Sequence, residues 1–211
     1  MRKPFVIVFL LASASLRAST IQIASDLVNE SNNRTSANVF IVPNPAWAVA
    51  PAGAGWISYA DTGNDAGAFS PPDSAVTPWA VFTQDFFLPG AVNTGSVRVW
   101  ADDTASVTLD GSPMGPPADL TLGSACAAGS IGCLPNAFAD ISLNGLSQGE
   151  HSLTFSVYQL GGGPFGLLYS GSVDSTDLSV ENPSPAPESK TFLLLGGGLL
   201  ALAFVLRRLK S

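Results

Sequence analysis

Histidine, cysteine and cations are scarce in this chain. It holds one histidine and two cysteines in 211 residues. One histidine excludes metal centres built on several imidazoles. It also leaves a Ser–His–Asp arrangement a single base to draw on, His151. That residue sits in Gln148-Gly149-Glu150-His151, at an expected strand start, and reads as an exposed turn residue. No G-x-S-x-G, H-E-x-x-H or Walker pattern occurs. Between Ser19 and Ser189 only Arg34 and Arg98 stand against sixteen Asp and Glu, a net charge of −14. Nucleic acid is excluded as a partner, because its binding needs Lys and Arg to neutralise phosphates. Such a surface suits an exported soluble domain, or one that takes divalent cations or neutral glycans. A long apolar repeat of period 3.6 is also missing from this region, which argues against a helical core.

Short β-rich runs punctuated by Gly and Pro are present instead. They are Val39–Val42, Trp56–Tyr59, Trp79–Leu88, Val97–Ala101, Ser106–Leu109, Ala137–Leu143, Ser152–Gln159 and Phe165–Val173, with Asp177–Val180 as an expected last strand. Val97 and Val99 share one face, Arg98 and Trp100 the other. Leu153, Phe155 and Val157 likewise share a face. Asp110-Gly111 is a short-turn signal that needs positive φ. Ser31–Ala37 is polar and reads as a loop, and Ala46–Gly55 as a loop with a buried tryptophan. About eight strands of this kind predict an all-β fold, an antiparallel β-sandwich or jelly roll. The stretch from Ser19 to Glu181 is long enough for one core.

The two ends read differently. Met1–Ala18 has a cationic start, Arg2 and Lys3, a short apolar run, Phe5–Ala12, and small residues after it. It is expected to be a secretory signal peptide cleaved after Ala14 or Ala18, with Ala18 preferred, which implies entry through the Sec machinery. Residues 182–190 form a Pro/Ser-rich linker that contains Pro187-Glu188-Ser189. Thr191–Leu206 is sixteen residues without a charge. As a helix it would rise roughly 24 Å, at the short end for a hydrocarbon core of about 30 Å. Lys190 and Arg207 can snorkel to the headgroups on either side. Residues 207–211, with Arg207, Arg208 and Lys210, would stay cytoplasmic.

This order of Pro-Glu motif, short Gly-containing helix and Arg-rich end resembles the PEP-CTERM sorting signal of Gram-negative bacteria. The resemblance implies an exosortase as partner, transient anchoring by the C-terminal helix, and delivery to the cell surface or extracellular matrix. Ser189 stands where that family usually has its second Pro. A plain, uncleaved tail anchor is the other reading of the same residues. A second resemblance lies within the domain. Gly95–Gly111 (GSVRVWADDTASVTLDG) and Gly149–Val173 are similar to galactose-binding-like β-sandwiches, including sugar-binding domains attached to glycoside hydrolases. That resemblance implies the sandwich fold and a structural or weak glycan-binding role.

The candidate sites follow from these readings. Trp100, beside Asp102 and Asp103, is the candidate glycan contact, since sugar sites set an aromatic face beside a few polar groups. Core packing is the other reading for the tryptophans and is expected for Trp56 and Trp79. Asp102 and Asp103 also suit a turn in which Asp side chains cap backbone N–H groups. Asp61, Asn64 and Asp65 offer oxygen ligands in a Gly-containing loop for calcium, the one cofactor the chain points to. An Asx-rich turn fits the same residues. Cys126 and Cys133 enclose six small residues and are expected to form a local disulfide in an oxidising compartment. A metal site would need more thiol or imidazole ligands. No catalytic residue is assigned. The expected function is an exported surface or exopolysaccharide-matrix protein. The alternative is a polysaccharide-active hydrolase or its accessory module.

Overall fold

The computed structural model describes residues 17–64, 77–121 and 131–177. One compact unit spans Ala18–Asp177, and of the remaining unit only Arg17 is described. The sorting residues Pro187, Glu188, Ser189, Arg207 and Arg208, the expected helix 191–206, Asp65 and Cys126 therefore lie outside the described residues. Among the described residues no helix is long and apolar enough to cross a membrane.

Eleven strands occur among the described residues: β1 Arg17–Ala24, β2 Glu30–Asn32, β3 Val39–Phe40, β4 Ile57–Ser58, β5 Ala80–Leu88, β6 Val92–Asp102, β7 Thr104–Leu109, β8 Ser112–Met114, β9 Ala139–Ser142, β10 Gly149–Tyr158 and β11 Gly166–Asp177. They form two sheets. One runs β3-β4-β11-β6-β9, with β1 also on β11. The other runs β2-β5-β10-β7-β8. The β6–β11, β6–β9, β5–β10 and β7–β10 pairs are antiparallel, and the architecture is a β-sandwich.

Alternation builds the core between the sheets. Ala80, Phe82, Phe86 and Leu88 of β5 point inward with Leu153, Phe155 and Val157 of β10. Val97, Val99 and Ala101 of β6 and Leu167, Tyr169 and Val173 of β11 meet them from the opposite sheet. Phe155 and Tyr169 stack with centroids 4.5 Å apart and so join the two sheets. Burial of each such ring contributes about 1.5–3 kcal/mol. Gln84 interrupts the apolar series on β5 without leaving polar atoms unpaired. Its Nε2 donates to Val28 O (3.1 Å) and Asp85 O (2.9 Å), and its Oε1 lies 2.8 Å from the Tyr169 hydroxyl. Glu30 contacts the same hydroxyl and accepts from Asn38 Nδ2 at 3.2 Å. Burial raises the Glu30 carboxyl above its usual range against those hydrogen bonds.

Asp110-Gly111 forms the two-residue turn between β7 and β8, with φ of 50° and 77° and Leu109 opposite Ser112. Three expectations need correction. Ser31 and Asn32 belong to β2, an edge strand, where polar side chains keep one side in water. Gly166–Val173 and Asp177 belong to one strand, because β11 continues past a bulge at Asp174 and Ser175; the rest of the expected last strand, 178–180, lies outside the described residues. Trp79 packs against the main core as expected but is only half-buried, with the Arg34 guanidinium 4.1 Å above its ring and its Nε1 donating to the Tyr59 hydroxyl at 2.7 Å.

Candidate functional site

The outer face of the β6–β11 sheet has two halves of opposite character. At one end a second apolar cluster gathers Ile41, Trp47, Ala48, Trp56, Trp100, Cys133 and Leu168. Trp100 and Leu168 alternate with core-facing neighbours and so point away from the main core. The segment between β3 and β4 covers them. Trp47 and Trp56 meet at 4.4 Å, and Trp56 Nε1 donates to Ala48 O at 2.8 Å, which fixes that segment over the sheet. Ala48 N donates to Cys133 O at 2.7 Å and ties in the segment before β9.

The other half is open and polar. Register lays it out in rows across three strands. Ser142 and Ser172 flank Ser96; Asp140 and Ser170 flank Arg98; Asp174 lies opposite Thr94. Two depressions occupy this face. One of about 480 Å³ is lined by Thr94, Gly95, Ser96, Asp140, Ser142, Asn144, Ser172 and Asp174. The other, about 280 Å³, is lined by Pro51, Ser96, Arg98, Trp100, Asp140, Ser170, Gly171 and Ser172. They share Ser96, Asp140 and Ser172 and form one trough. From Thr94 to Trp100 it follows β6 for roughly 20 Å.

One ion pair organises the floor. Arg98 Nε donates to Asp140 Oδ1 at 2.7 Å and Nη2 to Oδ2 at 2.9 Å. The guanidinium also lies 3.8 Å over the Phe138 ring, and Phe138 leans on Trp100 at 5.6 Å. The hydrogen bonds to Arg98 hold the Asp140 carboxyl below its ordinary range, and those to Asp140 raise the guanidinium. Asp174 accepts from Thr20 Oγ1 at 2.7 Å and Thr94 Oγ1 at 3.3 Å. Asn144 Oδ1 accepts from Gly95 N at 2.8 Å. The trough therefore offers hydroxyls, one amide, two carboxylates and one guanidinium. Such groups hydrogen-bond a hydroxylated ligand.

The Trp100–Asp102–Asp103 constellation expected from sequence is not an exposed aromatic flanked by carboxylates. Trp100 is 6 % exposed and contributes one wall of the trough, its Nε1 without a hydrogen-bond partner. Asp102 and Asp103 are buried at the β6–β7 link. Asp103 Oδ2 accepts from Leu160 N at 2.6 Å, and Asp103 N donates to Tyr158 O. They shape a turn. The cause is the covering segment, which removes this end of the sheet from solvent. Arg98, Asp140, Ser96 and Ser172 were not singled out from sequence. Their only signal was alternation, which places Arg98 beside Trp100 on one face.

The remaining candidates are placed as follows. Asp61 is exposed, and Asn64 N donates to Val42 O at 2.8 Å. Between them Thr62 is buried, with its hydroxyl bonded to Ser58 Oγ and Phe165 O. Among the described residues no three His, Cys, Asp or Glu side chains gather where a metal ion would fit. Cys133 is fully buried, and no described cysteine is free. His151 is buried, contrary to the expected exposed turn residue. Its Nδ1 lies 2.7 Å from Asp110 Oδ2 and its Nε2 3.0 Å from Ser147 O.

No protein family's sequence profile matches this chain, and no curated protein does. Similar solved structures include a family 35 carbohydrate binding module from Clostridium thermocellum. It is 10% identical at a TM-score of 0.39, over 72% of this chain and 97% of the module. An exo-β-1,3-galactanase from Phanerochaete chrysosporium is 12% identical at a TM-score of 0.36, over 74% of this chain and 29% of its own. A GH87 α-1,3-glucanase from Streptomyces thermodiastaticus is 11% identical at 0.32, over 80% of this chain and 28% of its own. The chain thus spans less than a third of either hydrolase.

Proposed function

We propose that this protein is an exported, non-catalytic β-sandwich that holds polysaccharide at the cell surface or in the extracellular matrix. The observation that carries the reading is the open trough across β9, β6 and β11. Its hydroxyls, amide and carboxylates lie in register along an extended strand, which matches the repeating hydroxyls of an extended glycan. Trp100 adds an apolar wall at one end. His151 speaks against a serine nucleophile, since its ring nitrogens already face Asp110 and Ser147. A base for a serine nucleophile needs a free nitrogen there.

Export and sorting belong to the same proposal and rest on the termini. The signal peptide at residues 1–18 takes the chain through the Sec machinery. The Pro187-Glu188-Ser189 motif, the helix 191–206 and Arg207-Arg208 present it to an exosortase, which releases it from the inner membrane. Mass spectrometry of the mature C-terminus tests this; a chain still ending at Ser211 would mean an ordinary anchor.

Glycan binding is tested on the full chain in a sugar-free detergent, against an oligosaccharide panel by calorimetry. Ser96 is exposed on the floor shared by both depressions. Ser96→Leu fills that floor without adding charge and is expected to weaken binding at least tenfold. Binding unchanged by Ser96→Leu would remove the trough from the mechanism.

A further inference from the structure

We infer that the trough selects an uncharged hexose polymer and turns away polymers of uronic acid. This rests on the glycan reading above and goes on to name the chemistry of the ligand. Among the described residues Arg98 is the only cation lining the trough; it faces Asp140, and a second carboxylate, Asp174, lines the trough farther along β6, opposite Thr94. The Arg98 fork is already closed on Asp140 at 2.7 and 2.9 Å, and one flat face rests on Phe138. Asp140 occupies the Nε–Nη2 edge, so a uronate reaching the remaining N–H groups would share one positive charge with a carboxylate already bound to it. Bidentate Arg–carboxylate pairs are the stronger ion pairs, and this one is intramolecular. The whole domain repeats the message, since two cations stand against sixteen carboxylates between Ser19 and Ser189. At physiological salt that field reaches about 8 Å and opposes the approach of a polyanion.

Neutral sugar hydroxyls meet the reverse situation. Asp174 already accepts from two hydroxyls, Thr20 and Thr94, so sugar O–H groups are chemically matched to it. Ser96, Ser142, Ser170 and Ser172 both donate and accept.

The test compares laminari- and cello-oligosaccharides with oligogalacturonate on the full chain, in wild type, Ser96→Leu and Asp140→Asn. Wild type is expected to favour an uncharged oligosaccharide at least tenfold over oligogalacturonate. Asp140→Asn releases Arg98 and is expected to raise oligogalacturonate affinity at least tenfold. Thermal unfolding of Asp140→Asn checks that it stays folded, as an exposed pair permits. Oligogalacturonate bound as tightly as the neutral sugars, and lost in Ser96→Leu, would overturn the selectivity and leave the trough as a glycan site. A neutral preference unaltered by Asp140→Asn would overturn the role given to the Arg98–Asp140 pair. No oligosaccharide bound at millimolar concentration would overturn both this inference and the glycan reading.

Discussion

His151 is expected to make the stability of this domain fall as pH rises above neutrality. Both of its ring nitrogens face acceptors, Asp110 Oδ2 at 2.7 Å and Ser147 O at 3.0 Å. Only the imidazolium can donate at both positions. Burial against Phe86 opposes the charge, but the bonds to Ser147 and Asp110 outweigh it, and the His151 pKa is raised. Asp110 shows the mirror image. Its partial burial is outweighed by the bonds from His151 and from the Ser152 N–H, and its pKa is lowered. The signs then follow by linkage. The His151 contribution is complete below about pH 6.5, its ordinary value, and is lost as pH climbs through the raised one. The Asp110 contribution is present above about pH 3.8 and is lost as pH falls through the lowered value. A hydrogen bond to a charged group is worth about 1.5–3 kcal/mol when well buried. The Asp110 side chain is 47% exposed, which screens its share, so about 1 kcal/mol is expected. In a domain of this size that shifts Tm by about 2–4 °C. The assay is thermal unfolding of wild type and His151→Gln from pH 5 to 9. The advantage of wild type is expected to be largest near pH 5–6 and to shrink toward pH 9. An advantage constant with pH, or growing with it, would refute the doubly donating imidazolium.

Three further outcomes are expected. Gly171→Ala places a Cβ 2.0 Å from Ser96 O, where β11 pairs with β6; a loss of about 1–3 kcal/mol in urea unfolding is expected, and a neutral result would mean the strands separate freely there. Tyr169→Phe removes the hydroxyl shared by Gln84 and Glu30 at nearly full burial; leaving those groups short of a partner is expected to cost about 1–3 kcal/mol, measured by the same unfolding. A double-mutant cycle on Arg98 and Asp140, whose side chains are 44% and 50% exposed, is expected to return a coupling below about 1 kcal/mol; a larger value would show that the pair serves stability and not the trough.

The all-β class was readable because strand alternation is a local property. Val97 and Val99 against Arg98 and Trp100, or Leu153, Phe155 and Val157 along one face, need no knowledge of their partners. The Asp110-Gly111 turn was equally local, since positive φ is a demand on two residues. Acidity and the scarcity of histidine narrowed the chemistry before any fold was known. Tertiary structure decided where the open surface lies. Trp100 looked like an exposed aromatic, yet Trp47 and Trp56 arrive from more than forty residues upstream and cover its end of the sheet. Asp102 and Asp103 looked like ligand contacts, yet strand geometry turns them into the protein at the β6–β7 link. Arg98 meets Asp140 because β9 pairs beside β6, and Ser96 meets Ser172 because β11 pairs on the other side. Those registers depend on the summed packing of two sheets, in which a one-residue slip would exchange the faces. Local sequence carries each strand's two faces; only the assembled sandwich determines which of them meets water and which side chains stand there together.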